Sequence, residues 1–209
     1  MPVTNVVEAI LGREELKWDA LWRLFTWLLD PTEGHELGAQ VLAALTVHVF
    51  GRAHLDCQIK REFQLSRMRD GKGKWPDLAI GIPSLSAPTH VIVMDDVDRR
   101  SSGGRRKLEN LAMYRTLARD MYPHALIRAV VLTNADHEHS LRQLYAHAGP
   151  EAVEFSALDG WRLLPLRVVG AWVEAALKPE RSDTMSMFLR DFVAWTQSLD
   201  VRRDRPRRQ

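Results

Sequence analysis

Asp77 opens the apolar run DLAIGI, and Asp95 and Asp96 close the run THVIVMDD. Both runs read as buried β-strands, and a carboxylate at the edge of buried structure is expensive unless something compensates it. Two such groups on neighbouring strands repel each other unless a cation lies between them. A hard divalent ion bound through oxygen fits that pattern. Such an ion neutralises phosphate charge, generates hydroxide near neutral pH and stabilises a leaving oxygen, which is the chemistry of phosphodiester hydrolysis. Alternation along the second run puts Val91, Val93, Asp95 and Val97 on one face and Ile92, Met94 and Asp96 on the other. A slip of one residue selects Asp96 instead of Asp95 and brings Asp98 to the position two residues on.

The surrounding elements must hold these acids in place. LKWDALWRLFTWLLDP has apolar residues at helical spacing (Leu21, Leu24, Phe25, Leu28, Leu29), and the helix stops before Pro31. Trp18, Trp22 and Trp27 of that helix are spaced as core or interface residues, not as base-stacking platforms. After PTEGHELG, the run AQVLAALTVHVFG predicts a second helix. Glu36 stands at its start as a potential further metal ligand, and His35 as a turn or capping residue. DCQIKREFQL predicts a half-buried strand that contains Glu62, and RDGKGK a turn. DLAIGI and THVIVMDD follow as strands, RRKLENLAMYRTLARDMY as a helix, and ALIRAVVLTNAD as another buried strand. Further helices are expected around residues 141–147, 163–177 and 185–199, with WRLLPL as a short edge strand. The order is that of an α/β protein with a central mixed sheet flanked by helices and a helical C-terminal part. We expect one domain over residues 1–201, with its core at about 15–135 and the helical part at about 138–201.

PDLAI, then VIVMDDV, then a helix with NLAMY resembles the PD-(D/E)XK nuclease superfamily, with its restriction-endonuclease-like core. WLLDPTEGHELG is similar to a segment of one bacterial branch. The resemblance spans roughly residues 15–135. It implies that Asp77 and Asp95 hold Mg²⁺ (or Mn²⁺), since the family's second acid usually follows an apolar residue such as Met94. It also implies that Glu36 or Glu62 assists, and that Asn110 and Tyr114 occupy the family's Gln-x-x-x-Tyr positions on a helix behind the site. The expected activity is Mg-dependent cleavage of DNA, in a prokaryotic defence or mobile-element setting. Where the family has a lysine two residues after the second acid, this chain has Val97. Lys107, Asn110 and Tyr114 are spaced i, i+3, i+7 on one helix face, so Lys107 is the candidate substitute amine. Lys74, Arg99 and Arg100 are cations that could approach from loops. The other outcome is a catalytically inactive descendant that binds nucleic acid or a protein partner.

The loop DRRSSGGRRK sets Arg99, Arg100, Arg105, Arg106 and Lys107 beside the acids, where nucleic-acid phosphates would meet them. Residues 202–209 (RRDRPRRQ) carry a net charge of +4, which leaves the rest of the chain 24 basic and 26 acidic residues. That tail reads as a disordered, solubilising terminus or a non-specific phosphate contact. His137 and His139 lie in a polar stretch without partners at structural-zinc spacing. The single cysteine, Cys57, excludes a disulfide framework and fits a reducing cytoplasm. No signal peptide or membrane span is evident. The C-terminal third, with Trp161, Trp172 and Trp195, offers a face for the core, a partner protein or a second copy. No glycine-rich phosphate loop or nucleophile elbow is present.

Overall fold

The computed structural model describes residues 6–11, 17–67, 73–74, 76–96, 104–133, 161–178 and 183–199. Five strands form one mixed sheet in the order β1-β4-β5-β6-β7: β1 is Gln58–Arg61, β4 Leu78–Ile82, β5 His90–Asp96, β6 Leu126–Thr133 and β7 Trp161–Pro165. The β1–β4 and β4–β5 pairs are antiparallel, and β5–β6 and β6–β7 are parallel. A separate two-residue ladder pairs β2 (Ser66–Arg67) with β3 (Gly73–Lys74). The helices are α1 (Val6–Leu11), α2 (Trp18–Leu29), α3 (Gly38–Phe50), α4 (Gly104–Met121), α5 (Leu166–Ala176) and α6 (Thr184–Ser198).

Side-chain alternation divides the sheet between two apolar layers. Leu78, Ile80, Ile92, Met94, Val130, Leu132 and Leu164 point to the side covered by α1, α2, α3, α5 and α6. Val91, Val93, Ile127, Ala129 and Val131 point to the other side, where Leu111, Tyr114 and Ala118 of α4 cover them. β4 is buried at every position and β5 at all but His90, as expected of central strands covered on both faces.

The first predicted helix buries Leu21, Trp22, Phe25, Leu28 and Leu29, so Trp22 takes the core place expected for Leu24. The second begins later than expected, at Gly38. A Cβ on Gly38 would lie 2.1 Å from the carbonyl oxygen of Asp30, so the chain can fold back onto the end of α2 only with glycine here. His35 is a turn residue, as its position suggested, and it is buried. Its Nε2 donates to the Trp27 carbonyl at 2.8 Å and its Nδ1 accepts from the Leu37 amide at 2.9 Å. Glu36 therefore stands in the turn with φ of 60°, not in a helix. The strand expected to contain Glu62 ends at Arg61. Glu62 has φ of 47° and is exposed. WRLLPL does form the edge strand β7, running directly into α5. Residues 141–147, His137, His139 and the 202–209 tail lie outside the described residues.

Candidate metal centre

Register brings the acids together. Leu78 pairs with Met94 across β4 and β5, so Asp77 stands opposite Asp95. Asp96 follows on the other face of β5, at the strand end. One carboxylate oxygen from each of Asp77, Asp95 and Asp96 lies within 4.8 Å of the others. Asp95 and Asp96 are buried, and Asp77 is half-buried. Both Asp95 and Asp96 belong to the group, so either can serve as the second acid. They belong to opposite faces along the strand, yet β5 ends here and both carboxylates reach the same point.

Hydrogen bonds orient the group. The backbone N–H of Asp96 donates to Oδ1 of Asp95 at 2.8 Å. The indole Nε1 of Trp22 donates to Oδ2 of Asp96 at 3.0 Å, inside the core. Trp22 is placed by α2, whose first turn is tied to the sheet. Asp19 accepts a 2.6 Å bond from Nη2 of Arg61 at the end of β1 and also pairs with Arg23. The Arg61 guanidinium, with Arg23 beside it, holds the Asp19 carboxyl below the usual carboxylate range.

Three carboxylates so close repel by about 3 kcal/mol per pair at an effective dielectric of ~20. A divalent cation reverses that sign. Mg²⁺ or Ca²⁺ binds oxygens at roughly 2.0–2.6 Å, so ligand oxygens stand at most ~4–5 Å apart, the span this group presents. The donor set is all hard oxygen, which suits such ions.

The remaining expected site residues divide into three sets. Glu36 and Glu62 are outside the carboxylate group. Glu62 remains beside it through its backbone, its N–H donating to the Asp77 carbonyl at 3.2 Å. Glu36 is remote. Pro165 pairs with Thr133 at the carboxylate end of the sheet, where α5 begins, whereas Glu36 lies beside Ala176 and Leu177 at the far end of α5, about 16 Å of helix away. Asn110 is half-buried and Tyr114 buried on α4, which covers the sheet face that carries Asp95. Lys107, Arg105 and Arg106 lie on α4, with only their backbone described, and Arg99, Arg100 and Val97 lie outside the described residues. Lys74 is in β3.

Trp22 was not anticipated at the site, and the burial of Arg115 on α4 was not anticipated either. A tryptophan on an apolar helix face needs an acceptor for its N–H, and that signal is legible in α2. Arg115 is 5% exposed, on the stripe Leu111, Tyr114, Arg115, Ala118 of α4. That stripe has the i, i+3, i+4, i+7 spacing of a buried helix face with a cation built into it.

No protein-family model matches this chain, and no curated protein or solved structure does so at a significant level. The chain is an α/β protein with a five-stranded mixed sheet flanked by helices and an aspartate triad able to hold a metal ion. Among the described residues, no helix is long and apolar enough to cross a membrane.

Proposed function

We propose that this protein is a divalent-metal-dependent nuclease of the PD-(D/E)XK kind, with a restriction-endonuclease-like core, that hydrolyses phosphodiester bonds in DNA. The observation that carries this reading is the convergence of Asp77, Asp95 and Asp96 at the ends of adjacent antiparallel strands. Asp77 and Asp95 hold Mg²⁺ or Mn²⁺, and Asp96 is a third donor fixed by Trp22. The ion supplies Lewis-acid charge and a water acidic enough to attack near neutral pH. On the protein side, the amine that Val97 cannot provide comes from Lys107 on α4. Arg99, Arg100, Arg105 and Arg106 take backbone phosphates, and Asn110 and Tyr114 support the site from the same helix.

The test is cleavage of plasmid and linear DNA with Mg²⁺ or Mn²⁺. Asp77→Ala should reduce cleavage to the EDTA background while circular dichroism stays native, and full activity in that variant ends the assignment. Lys107→Ala should slow turnover by about 10²-fold or more, the range for losing a proton-transfer or charge-stabilising group. Unchanged turnover there removes Lys107 alone.

Val97 favours a second reading, a nuclease-fold protein that binds nucleic acid or a protein partner without cutting. Calorimetry separates the two. Mn²⁺ binding lost in Asp77→Ala supports the enzyme, and no binding at millimolar Mn²⁺ supports the scaffold.

A further inference from the structure

A second polar cluster stands at the opposite end of β5 from the carboxylates. His90 and Asp96 are the two ends of that strand, about 20 Å apart. Arg52 lies in the segment between α3 and β1. Its Nε donates to Nε2 of His54 and its Nη2 donates to Nε2 of His90, each at 3.0 Å. A guanidinium has donors only, so both imidazoles present a lone pair to it. The His90 proton is therefore on Nδ1, donated to Oγ1 of Thr89 at 2.9 Å, and that hydroxyl donates to the Ile82 carbonyl at 3.1 Å. The two rings lie 4.8 Å apart, with Phe50 against both.

The charge of the cluster comes from arginine. Arg128 on β6 adds positive charge near His90, while Asp56, the nearest acid in sequence, acts on Cys57. Among the described residues no carboxylate pairs with Arg52. Burial, and then the neighbouring positive charge, hold both imidazoles below their ordinary range, which keeps the rings neutral acceptors.

Only one edge of the guanidinium is used. The Nε and Nη2 hydrogens point at the imidazoles, which leaves the edge formed by Nη1 and Nη2. That edge takes carboxylates and phosphates through two parallel bonds. Arg52 is exposed. Two neutral rings thus fix the guanidinium plane in advance, which lowers the entropy cost of capturing an oxyanion. A phosphate suits the cluster better than a carboxylate. Inorganic phosphate carries a second charge that Arg128, near His90, can offset, and a backbone diester offers Arg52 two oxygens with a single charge.

We propose that Arg52, clamped by His54 and His90, is an oxyanion site for a phosphate group, either free or in a nucleic-acid backbone. The site is independent of the metal centre. When phosphate cancels the Arg52 charge, the electrostatic penalty on protonating His54 and His90 falls, and both gain proton affinity.

The experiment is imidazole NMR of the full chain in the Asp77→Ala background with EDTA, so that cleavage plays no part. It follows pH in chloride, in inorganic phosphate at matched ionic strength, and with a short DNA duplex lacking terminal phosphates. His54 and His90 should bind protons severalfold more tightly with phosphate than with chloride, whereas His35 and His48 should not change. Arg52→Gln should abolish the difference. A response to inorganic phosphate identifies a free phosphate ligand, and a response to duplex alone identifies backbone diesters. Titrations matching chloride in both arms overturn the site, as does a response that survives Arg52→Gln.

Discussion

Trp22 links the helical layer to the carboxylates through one buried hydrogen bond to Asp96. A bond to a charged acceptor is worth about 1.5–3 kcal/mol, and removing only the donor leaves the acceptor's desolvation cost behind. Trp22→Phe should therefore destabilise the metal-free protein by about 2–3 kcal/mol in urea unfolding. With saturating Mg²⁺ the loss should shrink, because the ion takes over the negative charge that the indole supported. An equal loss in EDTA and Mg²⁺ would separate Trp22 from the metal centre. Much of this site was readable at the residue level. Asp77 and Asp95 stood out as charges at the edges of apolar runs. Trp22 was read only as a core or interface residue, because its partner lies 74 residues away. Glu36 and Glu62 fall outside the carboxylate group, since acids near helix and strand ends are common and their direction depends on local φ.

Between elements, the closest fit is that of α5 and α6. A Cβ on Gly170 would meet Oγ1 of Thr196 at 2.0 Å, with the Thr196 Cβ at 3.0 Å. Gly170→Ala should cost about 1–3 kcal/mol, the usual range for overpacking. Adding Thr196→Ala should recover part of it, and strict additivity of the two would exclude the contact as the cause. The junction of Arg52, His54 and His90 ties the α3–β1 connection to the start of β5, and it makes stability depend on pH. Both imidazoles have lowered proton affinity when folded, so the unfolded chain binds protons more readily. This contribution is present above the unfolded value of about 6.5 and is lost as pH falls through that value and the lower folded ones. The fall in urea midpoint from pH 7.5 to 5 should be smaller in a His54→Gln, His90→Gln variant than in wild type. Equal falls would assign the acid sensitivity elsewhere. Neither contact is written in local periodicity, because each joins segments distant in sequence.

Across the whole molecule, β5 and β6 form the stable centre. β5 is buried on both faces, and the two strands share seven paired residues. Amides of Ile92–Met94 and Ala129–Val131 should exchange with solvent only through near-global opening, whereas those of the two-pair β2–β3 ladder should exchange orders of magnitude faster. Comparable protection in both would show that the sheet does not limit opening.

The strands of the five-stranded sheet, most helices, the α/β class and the acid pair follow from sequence alone, whereas the β2–β3 ladder falls partly where a turn was expected. Apolar periodicity of two or 3.6 residues and the cost of burying charge act over a few residues and leave a local record. Tertiary structure decided the rest. Strand register set Asp77 opposite Asp95, the end of β5 let Asp96 join from the other face, and the turn at Gly38 carried Glu36 away. It also brought His90 against Arg52 and His54 from a separate segment. Such convergence depends on how distant segments pack, which no short window of sequence contains.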